Sequence, residues 1–282
     1  MSRSRKPELV LLSITLVWGG TFAVVKFALT DSSPLTFLAL RFGIASLIFP
    51  LIYRKNYFKM DKATLLGGLF LGILLMVGFA LQTVGLKYTT ASKSAFITGL
   101  LVAFTPIAQG VIERKSPTRG NLIGVGLVAV GLYLLTSPNG QRFNIGDILT
   151  LFCAITYAIY IVYLDIYGKK HDPSKLTFLQ LSVTALLALA AAPFVETMHI
   201  HVTAGFVWAI LYTSILATVF STYLQTKYQR ETTPTKAAVI FSMEPVMANV
   251  IAFFAFGEFV GPIGAIGGGL IIAGLLASEL LG

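Results

Sequence analysis

Charged side chains are few within the apolar stretches of the 282-residue sequence, and Lys26, Arg41, Asp165 and Glu244 are the clearest. A charge at the centre of a membrane costs about 2.5–3.5 kcal/mol on insertion scales, so such residues face protein or a watery cavity and are candidates for chemistry. Arg41 offers a planar, permanently charged fork that suits a carboxylate. A structural ion pair, or a clamp on backbone carbonyls, is the other use for it. Glu244 precedes Pro245. It could exchange a proton, because desolvation works against the charged form of a carboxyl. Alternatively, it could hydrogen-bond backbone groups that Pro245 frees inside a helix. Lys26 and Asp165 lie near the ends of their stretches, where snorkelling to the interface accounts for both.

Uncharged residues add two helical faces. Ser94, Thr98, Thr105 and Gln109 are spaced by 4, 7 and 4 residues, which places them on one side of a helix. Later in the chain Ala237, Phe241, Glu244 and Ala248 share a face in the same way. A polar stripe of this kind lines a cavity or hydrogen-bonds between helices. Tyr157, Tyr160, Tyr163 and Tyr167 fall on another face. Those near an interface suit an aromatic belt, whereas Tyr157 and Tyr160 lie deeper and could join Trp18 in an aromatic wall for an amphipathic solute.

Other chemistries fail on spacing or context. No hydroxyl–histidine–carboxylate set can be assembled at membrane depth, and no catalytic set near one interface supports an enzyme acting on lipids. Gly124-x-Gly126 lies in an apolar run with no strand before it, so it is not a dinucleotide loop, and no phosphate loop suggests a primary pump. His199-x-His201 has only Glu196 as nearby company, which is too little for a metal site. The single cysteine, Cys153, excludes an intramolecular disulfide and a multi-cysteine metal centre. Neither a cofactor nor a metal is expected.

The elements that carry these residues follow from composition. Apolar residues make up 56% of the chain and charged residues 12%, against roughly 45–50% and 25% in soluble domains. Mean hydropathy is +0.81. So few charges cannot cover the surface of a soluble fold. Crossing about 30 Å of hydrocarbon takes about 20 residues of helix. Ten runs qualify: 9–29, 35–53, 63–82, 95–112, 120–135, 145–167, 176–195, 204–225, 237–256 and 259–281. They are continuous and lack the ten-residue alternation of barrel strands, so the reading is an all-α integral membrane protein. The first run follows Arg3, Arg5 and Lys6 in the manner of a signal peptide. With no small-x-small cleavage site and nine further runs behind it, it reads as a retained helix.

Sixteen of the lysines and arginines outside the runs fall on one side of this topology and three, Lys87, Lys93 and Arg142, on the other. The excess marks the cytoplasmic side and predicts that both termini lie there. Topology therefore explains the net charge of +9 without a nucleic-acid partner.

The chain also repeats itself. Leu35-Thr36-Phe37-Leu38 recurs as Leu176-Thr177-Phe178-Leu179, and Leu81-Gln82-Thr83 as Leu224-Gln225-Thr226. Thr89-Thr90 with Lys93 recurs as Thr232-Thr233 with Lys236, and the Gly-Leu pattern near Gly124 recurs near Gly267. This divides the chain into residues 1–138 and 139–282, each with five spans. An odd number of spans makes the halves inverted repeats, an architecture suited to alternating access around a site near the midplane. Gly120-xxx-Gly124 and Gly264-xxx-Gly268 read as close helix packing, within a monomer or at a homodimer contact.

Trp18-Gly19 in the first span, Leu40-Arg41-Phe42 in the second and Glu244-Pro245 in the ninth resemble the drug/metabolite transporter superfamily, in particular its EamA-type members. So do Gly257-Glu258 before the tenth span and the glycine-rich fifth and tenth spans. The resemblance covers nearly the whole chain. It implies that spans one to four and six to nine surround a central cavity, with five and ten peripheral. One departure is that Pro106 is followed by Glu113 after seven residues, whereas Pro245 is followed by Glu258 after thirteen. The expected function is a secondary transporter, exporting small organic metabolites such as amino acids across the inner membrane. The partners are then a small-molecule substrate and membrane lipid. Trp18, Arg41, Thr98, Tyr157, Tyr160, Phe241 and Glu244 are the expected cavity residues, and Glu244 is the candidate for proton coupling. A nucleotide-sugar or drug carrier of the same fold, or a sensor or scaffold that has lost transport, are the rival readings.

Overall fold

The computed structural model describes residues 6–55, 57, 59–136, 144–256 and 261–281. Among them, seven helical stretches are long and apolar enough to cross a membrane: Lys6–Ala28, Pro34–Ile52, Lys62–Tyr88, Lys93–Glu113, Ile145–Gly168, Pro173–Val195 and Ala204–Glu231. The shorter apolar helices Arg119–Leu134 and Pro262–Ser278 take the fifth and tenth places. The helices Pro234–Phe241 and Glu244–Phe256 take the ninth. The order of spans is the one the hydropathy predicts. The Gly257-Glu258 motif, the boundary near residue 138 and Arg142 lie outside the described residues.

Many spans begin where a short polar side chain can cap a helix. Asp61, Thr90, Asn144, Asp172, Thr203 and Thr233 each accept a hydrogen bond from a backbone N–H in the first turn. These caps satisfy donors that have no partner inside the helix.

Four spans are interrupted, which hydropathy does not reveal. The first breaks between Lys6–Gly19 and Thr21–Ala28. The fourth breaks at Leu100, between Ala91–Gly99 and Leu101–Glu113, and the ninth at Ser242 and Met243. The eighth passes through a π-helical segment, Tyr212–Phe220. The fourth and ninth breaks are separated by the period of the sequence repeat, so they are the same feature in two inverted copies.

Lipid tails are as apolar as leucine, so the spans associate through close van der Waals fit and hydrogen bonds. The fifth and tenth spans pack on each other. A Cβ on Gly124 would lie 2.7 Å from Gly274 O, and one on Gly131 would lie 2.7 Å from Gly267 O. Ser278 Oγ donates to Asn121 Oδ1 across the same contact at 3.0 Å. These glycines therefore bring two spans of one chain together.

Connections from the two halves meet at each end of the bundle. At the end that gathers the basic loops, Lys55 Nζ donates to Asp172 Oδ2 at 2.7 Å, and Lys175 Nζ donates to Lys59 O at 2.5 Å. Burial alone would raise the Asp172 carboxyl, but hydrogen bonds from Lys55 and from the Lys175 and Ser174 amides hold it below the usual carboxylate value. At the far end Ser32 and Ile200 form an antiparallel bridge. There Glu196 accepts the Leu35 and Thr36 amides at 3.1 and 2.8 Å.

Lys26, half-buried, reaches the end of the bundle, where its Nζ donates to the carbonyls of Leu86 at 2.5 Å and Thr89 at 2.9 Å and caps the end of the third span. One expectation needs correction. Asp165 is 1% exposed and accepts from Lys169 Nζ at 2.6 Å. It is the lysine, one turn on, that reaches solvent.

Candidate functional site

A cavity with about 70 Å³ open to the centres of water molecules lies among the first, second, third, fourth, sixth, eighth and ninth spans. Both halves therefore contribute. All seven residues singled out above, Trp18, Arg41, Thr98, Tyr157, Tyr160, Phe241 and Glu244, line it.

Arg41 reaches this depth from the middle of the second span and is 2% exposed. Its Nε donates to Thr218 Oγ1 at 2.8 Å. Its guanidinium lies over the rings of Phe79 and Phe42, at 4.7 and 5.4 Å from their centroids. Neither an ion pair nor a carbonyl clamp forms. Among the described residues the two terminal nitrogens have no acceptor. The flat charge is stacked on one side by aromatic faces, which attract a cation, and its fork is directed at the cavity.

Thr218 is placed by the π-helical segment. One extra residue per turn leaves backbone carbonyls off their usual partners, and neighbouring side chains take them up. Trp18 Nε1 donates to Ala217 O at 3.0 Å, and Ser221 Oγ to Leu216 O at 2.8 Å. From the same segment Tyr212 Oη donates to Val17 O at 2.5 Å, just before the break in the first span. The break and the π segment are thus tied together beside Arg41.

Glu244 opens the second helix of the ninth span, immediately after the Ser242–Met243 break. A Cβ on Gly19 would come within 3.0 Å of Glu244 O and 2.9 Å of Ala248 N, so only glycine lets the first span approach this helix start. The Glu244 carboxyl makes no hydrogen bond and no ion pair among the described residues, and it does not brace the turn at Pro245 as one reading had it. Glu244 and Arg41 both line the cavity and make no ion pair with each other. The Tyr157 hydroxyl is also buried without a partner, whereas Tyr160 Oη donates to Gln180 Oε1 at 2.6 Å. Trp18 and Phe241 meet at 5.4 Å between ring centroids and form one wall.

The polar stripe of the fourth span divides. Thr98 faces the cavity and accepts from Gln82 Nε2 at 3.3 Å. Gln109 instead bonds across to the ninth span, accepting from Thr235 Oγ1 at 2.8 Å. Tyr163 and Tyr167 pack around Phe70, away from the cavity, with centroid distances of 4.8 and 6.3 Å.

Sequence reasoning missed Phe79, Gln82, Gln225 and the arginine partner Thr218. A signal existed for the two glutamines. They occupy the same place in the repeated Leu-Gln-Thr block, and both line the cavity. Thr218 carried none, because its place depends on the π register. His199 and His201 have rings 6.1 Å apart, and no group of three potential metal ligands occurs among the described residues.

Comparison with known proteins agrees with this architecture. The sequence profile of the EamA-like transporter family matches residues 5–137 and again 144–279. An uncharacterized transporter of Archaeoglobus fulgidus is 34% identical over 273 residues, covering 97% of this chain and 85% of its own. YyaM, an uncharacterized transporter of Bacillus subtilis, is 25% identical over 283 residues, covering 96% and 92%. A crystal structure with 15% identity superposes over 99% of this chain and 98% of its own with a TM-score of 0.82, a likeness of fold alone.

Proposed function

This chain belongs to the EamA-like transporter family, and from that premise we propose that it exports small zwitterionic metabolites, amino acids foremost, by alternating access around the cavity between its repeats. The observation that carries the substrate class is the state of Arg41 and Glu244. The Arg41 guanidinium, with two unmatched nitrogens, and the half-buried Glu244 carboxyl, with no donor, both line the cavity and leave hydrogen-bonding capacity for a solute to use. A solute bearing a carboxylate and an ammonium satisfies both, and Trp18, Phe241 and Tyr157 offer apolar surface for the rest of it. Glu244 is the group we assign to proton coupling. Export, the inner membrane and cytoplasmic termini rest on the family resemblance and on the distribution of lysine and arginine.

The rival nucleotide-sugar reading is weakened by one placement. Lys26, the second cation that could have met a diphosphate, is spent on backbone carbonyls and does not line the cavity. Among the described residues, Arg41 is the only lysine or arginine that lines the cavity.

The test is counterflow in proteoliposomes preloaded with an amino-acid panel, with matched amines lacking the carboxylate and N-acetyl forms lacking the ammonium. Uptake of labelled amino acid driven by the intact zwitterions alone is the expected result. Equal counterflow with the amines or N-acetyl forms would remove the paired-charge reading, and no counterflow with any member would remove amino acids.

A further inference from the structure

The far end of the bundle is held by a buried charge cluster. Helix Ala91–Gly99 starts at Thr90, whose hydroxyl accepts the Lys93 N–H at 3.2 Å. Lys93 Nζ donates to Asp147 Oδ2 at 2.6 Å, and Thr89 Oγ1 donates to Asp147 Oδ1 at 2.6 Å. Asp147 is fully buried and is the third residue of the sixth span, the opening helix of the second half. The cluster therefore clamps one half of the molecule to the other.

The inverted repeat supplies the same parts at the basic end. Helix Pro234–Phe241 starts at Thr233, whose hydroxyl accepts the Lys236 N–H at 3.2 Å. Thr232 corresponds to Thr89, and Lys236 to Lys93. Glu8 stands as the counterpart of Asp147, in the first turn of the described part of the first helix, which packs against Gln229–Glu231 and Pro234–Phe241. Here the contacts differ. Glu8 Oε2 and Thr232 Oγ1 are both buried, and neither has a hydrogen-bond partner. Each is a buried polar atom whose hydrogen bond is not made in this state.

We propose that Glu8 and Thr232 form the second of two alternating latches, made when the Lys93–Asp147–Thr89 latch breaks. This rests on the transport reading above. The lever in each half is the short helix between latch and break. Ala91–Gly99 carries Lys93 near one end and the cavity residue Thr98 near the other, and Pro234–Phe241 carries Lys236 and the cavity residue Phe241. The breaks at Leu100 and at Ser242–Met243 are the hinges on which these levers turn. A solute seated against Thr98 and Phe241 touches both levers, so occupancy of the cavity bears on both latches. The structure is the state latched at the far end.

The test uses Glu8→Cys/Thr232→Cys in a Cys153→Ala background, reconstituted and treated with a short bifunctional thiol reagent. Yield is compared with Asp147 intact and with Asp147→Asn. A several-fold rise with Asp147→Asn is expected, and equal yield would overturn the latch pair. Should the double variant not assemble, Glu8→Gln and Asp147→Asn are compared through labelling of a cysteine at Gln225 from the basic side. Glu8→Gln should raise that labelling and Asp147→Asn should lower it; changes in the same direction overturn the proposal. Counterflow is measured in the same vesicles. Cross-linking that responds to Asp147 without counterflow removes the transport reading and keeps the latches. Counterflow with cross-linking indifferent to Asp147 removes the latches alone.

Discussion

Thr218→Val is the substitution that most directly tests how the cavity holds its arginine. Valine matches threonine in shape, so the π-helical segment keeps its packing and only the acceptor for Arg41 Nε is lost. A hydrogen bond to a charged group contributes about 1.5–3 kcal/mol. At 1.4 kcal/mol per tenfold in affinity, the full bond corresponds to a factor of roughly 10 to 150. The rings of Phe79 and Phe42 remain beneath the guanidinium and retain about 0.5–2 kcal/mol of cation–π attraction, so the arginine keeps its charge in the pocket but loses its orientation. The expected change is therefore at the low end, about a tenfold rise in the half-saturating concentration for a carboxylate-bearing solute. Maximal counterflow should change less, because the levers and breaks are untouched. Thr218→Ser, which retains the acceptor, should restore affinity. Counterflow rates against solute concentration measure both quantities. Wild-type affinity in Thr218→Val, or a defect in Thr218→Ser as deep as in Thr218→Val, would refute the positioning role.

Four further outcomes are expected. In Gly78→Ala the new Cβ would lie 2.3 Å from Tyr157 Cε1, so the ring must move into the cavity; counterflow should fall several-fold while the protein remains extractable and monodisperse. Glu244→Gln should abolish transport driven by a pH gradient and, because the ammonium then meets a neutral amide, raise the half-saturating concentration for zwitterions in gradient-free exchange without abolishing it; driven transport at wild-type rate would dispose of the coupling role. Single cysteines at His199 and Lys170, both exposed, should react oppositely with an impermeant reagent applied to intact cells, His199→Cys labelling and Lys170→Cys not; the reverse pattern inverts the topology. Finally, the folded Asp172 carboxyl sits below its ordinary value, so the stability it confers is present above that ordinary value and is lost as pH falls through the folded value. Asp172→Asn should flatten this acid limb in thermal unfolding of the detergent-solubilised protein, and an unchanged limb would show that Asp172 is not its source.

The sequence by itself determined what the bilayer dictates. Hydrocarbon requires long apolar helices and puts a cost on every charge inside them, so the spans, their order and Arg41 and Glu244 as buried charges could be read from composition and spacing. The duplication was legible because corresponding positions in the two halves keep the same residues, and it carried more than was taken from it, since Gln82 and Gln225 are such a pair. What hydropathy could not decide is where a helix stops being regular. The break at Leu100, the break at Ser242 and the π segment at Tyr212–Phe220 occur within apolar runs that would each suit an unbroken helix. At the π segment and at the break in the first span, partners distant in sequence take up backbone carbonyls, as Trp18 does for Ala217 O and Tyr212 does for Val17 O. The same holds for Lys26 and Asp165, whose depth is visible in the sequence and whose partners are not. Only the packed helices decide which groups find one another, because in a medium without water each polar group must be met by whatever side chain or carbonyl the fold brings within reach.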